Sequence, residues 1–302
     1  MSRHRARKRF GQHFLVDPGV IGAILDAIAP RGSDRIVEIG PGQGALTGLL
    51  ARTGCELHAI EIDRDLAATL RAGYADAANV SIHEADALDF DYAALGDDLR
   101  VVGNLPYNIS TPLLFHLLKF RDRLIDMHFM LQKEVVDRMA AEPGSKTYGR
   151  LSIMLGCHFD IESLFDVGRD AFDPPPEVTS SVVRLVPLPA GTYGIDDEAR
   201  FARLVAQAFS QRRKTLRNSL RGMVDEDTFG FVGIDPGISR TWLALCCGAA
   251  AVFGHVWPFY HNFRGGKGAA TYVGTFVALS PAIIPPMLLV WAFVVVVSGY
   301  VG

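Results

Sequence analysis

The sequence predicts an α/β protein with a doubly wound parallel sheet, a small helical domain and an apolar C-terminal segment. Short apolar strands alternate with helical segments over residues 1–190, which is typical of a parallel sheet covered by helices. Two further helical segments follow, and few charged residues come after them. All 33 acidic residues lie at or before Asp235, and of the 30 basic residues only three follow it, namely Arg240, Arg264 and Lys267. A composition of 49% hydrophobic residues with net charge −3 excludes a disordered chain.

The elements are predicted one by one from apolar periodicity and turn residues. The first helix covers residues 20–29, because apolar residues recur at helical spacing until Pro30 stops them. The strands are expected at 35–39, 57–62, 80–83, 100–103 and 182–186. The remaining helices are expected at 45–52, 65–72, 111–118, 133–140, 197–209 and 212–223. We therefore predict three domains: 1–190, a small helical one at 191–236, and an apolar tail at 237–302.

A glycine-rich turn joins the first predicted strand to a helix. Glu38 precedes Gly40, Gly42 and Gly44, and glycines at such a turn let the backbone pass close to a ligand. The glycines alone also fit a plain tight turn, and nicotinamide sites usually read G-x-G-x-x-G. The acidic residue before the loop instead favours a cofactor with a cationic sulfonium and amine, which is S-adenosylmethionine.

Two more acidic residues follow the next two strands. Glu61 ends the second strand, where a carboxylate can accept both ribose hydroxyls of an adenosine. Asp86 follows the third strand, where it can accept the adenine amino group. Acidic residues at three consecutive strand ends favour an adenosine cofactor more than any one of them does.

The run Asn104-Leu105-Pro106-Tyr107 directly follows the fourth strand. A nucleobase amine is a poor nucleophile because its lone pair is delocalised into the ring. The side-chain oxygen of Asn104 and the carbonyl of Leu105 can accept both of its N–H groups and hold the nitrogen in a more tetrahedral form. Pro106 restricts the backbone, and Tyr107 can stack on the base. This pattern predicts methyl transfer to a base amine.

Residues 7–236 resemble the ribosomal RNA adenine N6,N6-dimethyltransferase family. The matching runs are 7–15, 38–44, 103–110, 130–135, 148–152, 172–176 and 211–220. The resemblance implies a Rossmann-like methyltransferase fold, S-adenosylmethionine as cofactor and no metal. It implies two methyl transfers to each of two adjacent adenines near the 3′ end of 16S ribosomal RNA in the immature small subunit. The enzyme would be a cytoplasmic monomer.

The same resemblance implies a role for individual residues. His13 and Leu15 would border the methionine end of the cofactor, and Phe172 would close over the free face of the target adenine. The residues implied to bind the cofactor are His13, Leu15, Gly40, Gly42, Glu61, Asp86 and Asn104. Those implied to hold the target base are Asn104, Leu105, Pro106, Tyr107 and Phe172. Those implied to contact RNA phosphates are Arg7, Lys8, Arg9, Arg212, Arg213, Lys214, Arg217 and Arg221.

Two other functions remain open for residues 1–236. DNA adenine N6-methyltransferases carry a similar tetrad, but usually with a second proline in place of Leu105. A ribosome-assembly factor that binds RNA and cofactor without turnover is the other alternative. Leu105 and the basic run at 211–220 argue against the first, and the intact tetrad with Phe172 argues against the second.

The tail resembles part of a different family. Residues 243–302 are similar to the membrane acyl-phosphate:glycerol-3-phosphate acyltransferases, through the runs 254–258 and 263–271. The Ser-Gly-Asn-Pro-Gly run and the late His-rich run of that family are missing. Uncharged stretches at 242–260 and 281–301 are about long enough to span a bilayer, so membrane association through residues 242–302 is expected. We interpret the tail as a fused or misassembled reading frame without acyltransferase activity.

Overall fold

The computed structural model describes residues 12–210 and 216–224. The chain divides into two compact units. Of the described residues, the first unit contains 12–141 and 150–198, and the second contains 142–149, 199–210 and 216–224. The domain boundaries expected at residues 190 and 236 stay predictions.

The described residues form nine strands in two sheets. The strands are β1 Phe14–Leu15, β2 Arg35–Ile39, β3 Glu56–Glu61, β4 Val80–Glu84, β5 Leu99–Asn104, β6 Leu124–Gln132, β7 Phe159–Val167, β8 Phe172–Asp173 and β9 Ser180–Pro187. The main sheet has seven strands in the order β4-β3-β2-β5-β6-β9-β7, and β1 pairs with β8 in a separate two-stranded sheet.

The described residues form eight α-helices. They are α1 Pro18–Ile28, α2 Thr47–Arg52, α3 Arg64–Gly73, α4 Ser110–Leu118, α5 Lys133–Met139, α6 Arg150–Gly156, α7 Glu198–Ala208 and α8 Leu216–Ser219. The helix expected at 212–223 ends at Ser219 in the structure, and a turn with Gly222 at φ +83° follows it. Residues 212–215 of that prediction lie outside the described residues.

The main sheet is mixed, so the predicted parallel arrangement holds for only part of it. The five strands from β4 to β6 in sheet order are parallel, but β9 runs antiparallel to both β6 and β7. The connection from β7 to β9 is short and contains only one 3₁₀ turn and β8. Since neighbouring parallel strands need a longer crossover, usually a helix, this connection suits antiparallel strands. The sequence prediction missed β6 because the buried polar residues Asp126 and His128 interrupt its apolar pattern.

The core lies on both faces of the main sheet, as a doubly wound fold requires. Along β2, Ile36 belongs to one apolar cluster while Val37 and Ile39 belong to the other, because successive side chains of a strand point to opposite faces. Ile24 of α1 and Leu50 of α2 join the first cluster. Leu113, Leu114 and Leu117 of α4 join the second.

A buried ion-pair network fixes the amino ends of the central strands. The guanidinium of Arg100 on β5 donates through Nε and Nη2 to the two carboxylate oxygens of Asp126 on β6, at 3.0 and 2.8 Å. Its Nη1 donates to Asp34 at 2.7 Å, and Nη2 also donates to the carbonyl of Ile28 at 2.7 Å. All three charged side chains are at most 14% exposed. The network ties α1 and the segment before β2 to the centre of the sheet.

The predicted membrane segments at 242–260 and 281–301 lie outside the described residues. Within 12–210 and 216–224, no helix has the length and apolar character needed to cross a bilayer.

Candidate active site

One cavity of about 180 Å³ opens at the carboxyl ends of β2, β3, β4 and β5. The loops that follow these four strands line it, together with the segment around β1. In the sheet order, β2 separates β3 from β5, which is the strand-order reversal where open α/β sheets bind ligands. The cavity therefore lies where the sequence places its motifs.

The loop after β2 depends on glycine. Gly40, Gly42 and Gly44 have φ values of +67°, +57° and +84°, a region that other residues rarely adopt. Gly42 also has little room, because a Cβ there would lie 3.1 Å from the ring of Phe14 in β1. These conformations keep the backbone of the loop close to the cavity.

Glu38 presents an unusual carboxylate to the cavity. Its side chain is 2% exposed, and its Oε2 has no hydrogen-bond partner among the described residues. Burial raises the pKa of this carboxyl group to about 7, and the neighbouring Glu61 carboxylate adds to the rise, whereas Thr47 opposes it. A buried carboxylate oxygen without a partner suits a cationic ligand group, so the residues present fit the sulfonium and amine of S-adenosylmethionine.

Glu61, at the end of β3, is held by two backbone donors. Its Oε2 accepts a hydrogen bond from the N–H of Gly42 at 3.1 Å, and its Oε1 accepts one from the N–H of Asp63 at 2.9 Å. Gln12 donates to the carboxylate of Asp63 at 3.2 Å, which ties the segment before β1 to this strand end. Burial raises the pKa of Glu61. The fixed carboxylate keeps further lone pairs for a ligand hydroxyl.

Asp86, after β4, is half-buried and lines the same cavity. Its Oδ1 accepts the N–H of Leu88 at 2.9 Å, which shapes the turn after the strand. Ile62 also lines the cavity with an apolar side chain and is 47% exposed.

The Asn104 amide is oriented by the chain segment that carries β1. Its Nδ2 donates to the carbonyl of His13 at 3.0 Å, which leaves Oδ1 as the acceptor of the amide. The carbonyl of Pro106 accepts hydrogen bonds from the N–H of Ile109 and the hydroxyl of Ser110, whereas no described residue donates to the Leu105 carbonyl. Asn104 and Leu105 both line the cavity, and each therefore keeps an oxygen that is available to accept a hydrogen bond.

Tyr107 is held at both its hydroxyl and its ring. The hydroxyl lies 2.8 Å from Oγ of Ser180, the first residue of β9. The ring lies face to face with the imidazole of His13, with 5.9 Å between centroids and 27° between planes. His13 is in turn fixed by its Nδ1, which donates to the carbonyl of Pro174 at 2.8 Å.

The structure does not bring Phe172 to the cavity. Leu15 pairs with Phe172 in the two-stranded sheet, and Phe172 is only 3% exposed within the apolar cluster that contains Leu15. Its phenyl group therefore packs in the same apolar cluster as Leu15 of β1, whereas the sequence places it over the target base. Its stacking role stays a prediction.

All other residues expected to hold the base or the cofactor line this one cavity. Of the expected RNA contacts, Arg221 is exposed, and nothing is described of the side chains at 7–9, 212–214 and 217. Among the residues to which the sequence analysis assigned no role, Gln12, Phe14 and Ile62 line the cavity, and Ser180 contacts its lining. For Gln12 and Phe14 the signal was the run at 7–15 that they belong to, whereas Ser180 had none. Within the described residues no group of three His, Cys, Asp or Glu side chains is placed to hold a metal ion.

The fold and the cavity define a Rossmann-like, S-adenosylmethionine-dependent methyltransferase. A family model described as ribosomal RNA adenine dimethylase matches residues 3–236, so the chain belongs to that family and catalyses adenine dimethylation in ribosomal RNA. A second family model, glycerol-3-phosphate acyltransferase, matches residues 220–302 weakly.

Individual relatives agree with the family assignment. The ribosomal RNA small subunit methyltransferase A of Aromatoleum aromaticum is 60% identical over 238 residues, covering 79% of this chain and 89% of the relative. That of Thiobacillus denitrificans is 57% identical over 235 residues, covering 78% and 92%. The crystal structure of a dimethyladenosine transferase from Plasmodium falciparum is 28% identical with a TM-score of 0.63, covering 80% of this chain and 89% of that one.

Proposed function

We propose that this enzyme dimethylates two adjacent adenines near the 3′ end of 16S ribosomal RNA, in the immature small ribosomal subunit. The relatives named small subunit methyltransferase A support the choice of RNA. The observation that carries the proposal is the hydrogen bond from Asn104 Nδ2 to the His13 carbonyl, because it leaves Oδ1 to accept an N–H of the target amine.

In the proposed mechanism, Asn104 and Leu105 act on the two N–H groups of the adenine. Oδ1 of Asn104 accepts one N–H and the carbonyl of Leu105 accepts the other, which draws the nitrogen toward a tetrahedral form with its lone pair out of the ring plane. Tyr107 stacks on the base, which must leave its helix to reach the cavity. Positioning and exclusion of water are the main contributions of the protein.

The cofactor is held by the acidic strand ends. Glu61 accepts the ribose hydroxyls, Asp86 accepts the adenine amine, and the loop at Gly40 and Gly42 meets the methionine part with its backbone. Glu38 provides negative charge on the side of the cationic groups. When bound, S-adenosylmethionine supplies the electrophilic methyl group.

A methyl-transfer assay on immature small subunits tests this proposal. The full chain, an Asn104→Ala variant and a Ser181→Ala variant are incubated with labelled S-adenosylmethionine. Ser181→Ala is the matched control, since its hydroxyl contacts Phe165 and Ser163, outside the cavity lining. We expect label in 16S RNA with the full chain and the control, and a loss of at least about a hundredfold with Asn104→Ala. Transfer to DNA instead of RNA, or bound cofactor without any product, contradicts the proposal.

Basic residues are proposed to contact RNA phosphates at 7–9, 212–214, 217 and 221. Five of them lie within ten residues, which suits a phosphate-binding surface. We expect Arg221→Gln to lower the slope of log affinity against log salt by about one, with little effect on which adenine is methylated. An unchanged slope removes Arg221 from the interface.

The C-terminal tail is proposed to take no part in methyl transfer. Among the described residues, those that line the cavity fall between Gln12 and Ile109. We also propose that the enzyme works as a monomer in the cytoplasm. Membrane association of residues 242–302, their foreign origin and their lack of acyltransferase activity remain proposals. A protein ending at Pro236 should methylate small subunits at the rate of the full chain and should not sediment with lipid vesicles when the full chain does.

A further inference from the structure

The hydroxyl of Tyr107 makes a hydrogen bond across the sheet that the mechanism above does not use. Its partner Ser180 is 73 residues further along the chain and 1% exposed, and the Oγ–Oη distance is 2.8 Å. Ser180 lies at the start of β9, where its backbone pairs with Gln132 of β6 and Val167 of β7. A strand flanked on both sides is a rigid support, so this bond fixes the direction of the Tyr107 ring.

Burial raises the pKa of Tyr107, although its hydrogen bond to Ser180 opposes the rise. The phenol therefore stays neutral at physiological pH, so either hydroxyl of the pair can donate to the other. The facing imidazole of His13 limits ring movement on the other side. The orientation of Tyr107 is thus set by residues outside its own loop.

The two methyl transfers place different demands on this ring. In each transfer a bond forms between N6 and the methyl carbon, the bond from that carbon to the cofactor sulfur breaks, and one N6 proton passes to water. Before the first transfer N6 offers two N–H groups to Asn104 and Leu105. Before the second it offers one, because the first methyl group has replaced the other. The monomethylated base is therefore oriented by one hydrogen bond fewer and depends more on stacking.

We propose that Ser180 is a positioning residue which, through Tyr107, secures the second methyl transfer and so sets the ratio of dimethyladenosine to monomethyladenosine. This inference rests on the proposed roles of Asn104, Leu105 and Tyr107. Loss of the hydroxyl pair leaves the ring present but free to turn, so the first transfer continues while the second slows.

The experiment measures both products in single-turnover reactions of the full chain with immature small subunits. Nucleosides are released at several times, and N6-methyladenosine and N6,N6-dimethyladenosine are quantified by mass spectrometry. For Ser180→Ala we expect the second transfer to slow about tenfold, the effect of one lost hydrogen bond, and the first by less than about threefold. Tyr107→Phe should give the same product ratio as Ser180→Ala. The double variant should change the ratio no further, since each of the three variants removes the same hydrogen bond.

Ser181→Ala is again the control, because it removes a buried hydroxyl from the next position of the same strand. A structural loss lowers the amount of active enzyme and slows both transfers equally, so the control should keep the product ratio of the unmodified chain. If Ser180→Ala does not fold, Tyr107→Phe breaks the same bond from the other side.

Three results overturn the inference. The first is an unchanged product ratio in Ser180→Ala or, if that variant does not fold, in Tyr107→Phe. The second is a changed ratio in Tyr107→Phe together with an unchanged ratio in folded Ser180→Ala. The third is the same change of ratio in Ser181→Ala as in Ser180→Ala. The failure of the proposed function looks different, because the unmodified chain then forms no methylated adenosine in small subunits at all.

Discussion

Replacing Gly103 by alanine tests how closely the active site depends on the spacing of β2 and β5. A Cβ built on Gly103 lies 2.5 Å from the carbonyl oxygen of Ile39 and 3.1 Å from Cδ2 of Leu105. An ordinary contact begins near 3.4 Å, so the backbone must move by about 0.9 Å. The blocking atom is backbone in the neighbouring strand, which cannot turn away as a side chain can.

The movement should affect both stability and activity. Overpacking of this kind lowers the free energy of unfolding by about 1–3 kcal/mol. A loss of about 2 kcal/mol in a protein of this size lowers Tm by about 4–8 °C. Gly103 precedes Asn104, so the shift also displaces the amide that holds the target base. A misplacement near 1 Å lowers the rate by about a hundredfold.

Gly22→Ala is the matched control. A Cβ at Gly22, inside α1, meets no atom within 4 Å, and alanine favours a helix by about 1 kcal/mol over glycine. Thermal unfolding and methyl transfer are measured for both variants. We expect Gly22→Ala to unfold at the same or a higher temperature with full activity. A Gly103→Ala variant with the Tm and turnover of the unmodified protein would refute the argument.

Three further substitutions follow from the structure. Arg100→Ala leaves the buried carboxylate of Asp126 without its partner, so we expect a loss of about 3–5 kcal/mol in chemical unfolding. Asp17→Ala removes the N-cap that accepts two N–H groups of α1, and the loss should be about 1 kcal/mol in the same measurement. The pKa of Glu38 is about 7 in the folded protein, compared with an ordinary value of 4.5. Folding therefore takes up a proton between pH 4.5 and pH 7. The stability that the protonated group contributes falls as the pH rises through 7. Glu38→Gln should therefore gain stability relative to the unmodified cofactor-free protein by about 3 kcal/mol between pH 4.5 and 8, and a difference independent of pH contradicts the reasoning.

The parallel part of the fold could be predicted from the sequence because its signals are local. Strand 35–39 was predicted with its observed bounds, since a short apolar run lies between a helix stop and a glycine turn. Glu61, Asp86 and Asn104 were found by the same logic, because residues at the carboxyl ends of parallel strands meet at one edge. The sequence order of the strands was enough to bring these three together.

The strand at 182–186 was also predicted, but its antiparallel pairing could not be, because that pairing joins distant segments. The two-residue strand Phe14–Leu15 is too short for a periodic signal and exists through its pairing with Phe172 and Asp173. Phe172 is buried in the same pairing, and no local pattern in the sequence indicates that burial. The role of Ser180 could not be predicted either, since a serine at a strand start indicates nothing until the fold brings its hydroxyl within hydrogen-bond distance of Tyr107.

These distant contacts determine how the tetrad works. The four residues from Asn104 to Tyr107 carry the reacting groups, yet the amide of Asn104 is turned by a carbonyl 91 residues earlier, and Tyr107 is held by a hydroxyl 73 residues later. His13, which supplies that carbonyl, is itself fixed to Pro174, 161 residues away. The orientation of the target amine therefore depends on β1 and β9 being in place, which requires the whole first unit to be folded. Substitution of Ser180 in β9 should alter which methylated product forms before it alters cofactor binding, because Ser180 is hydrogen-bonded to Tyr107, which is proposed to stack on the target base.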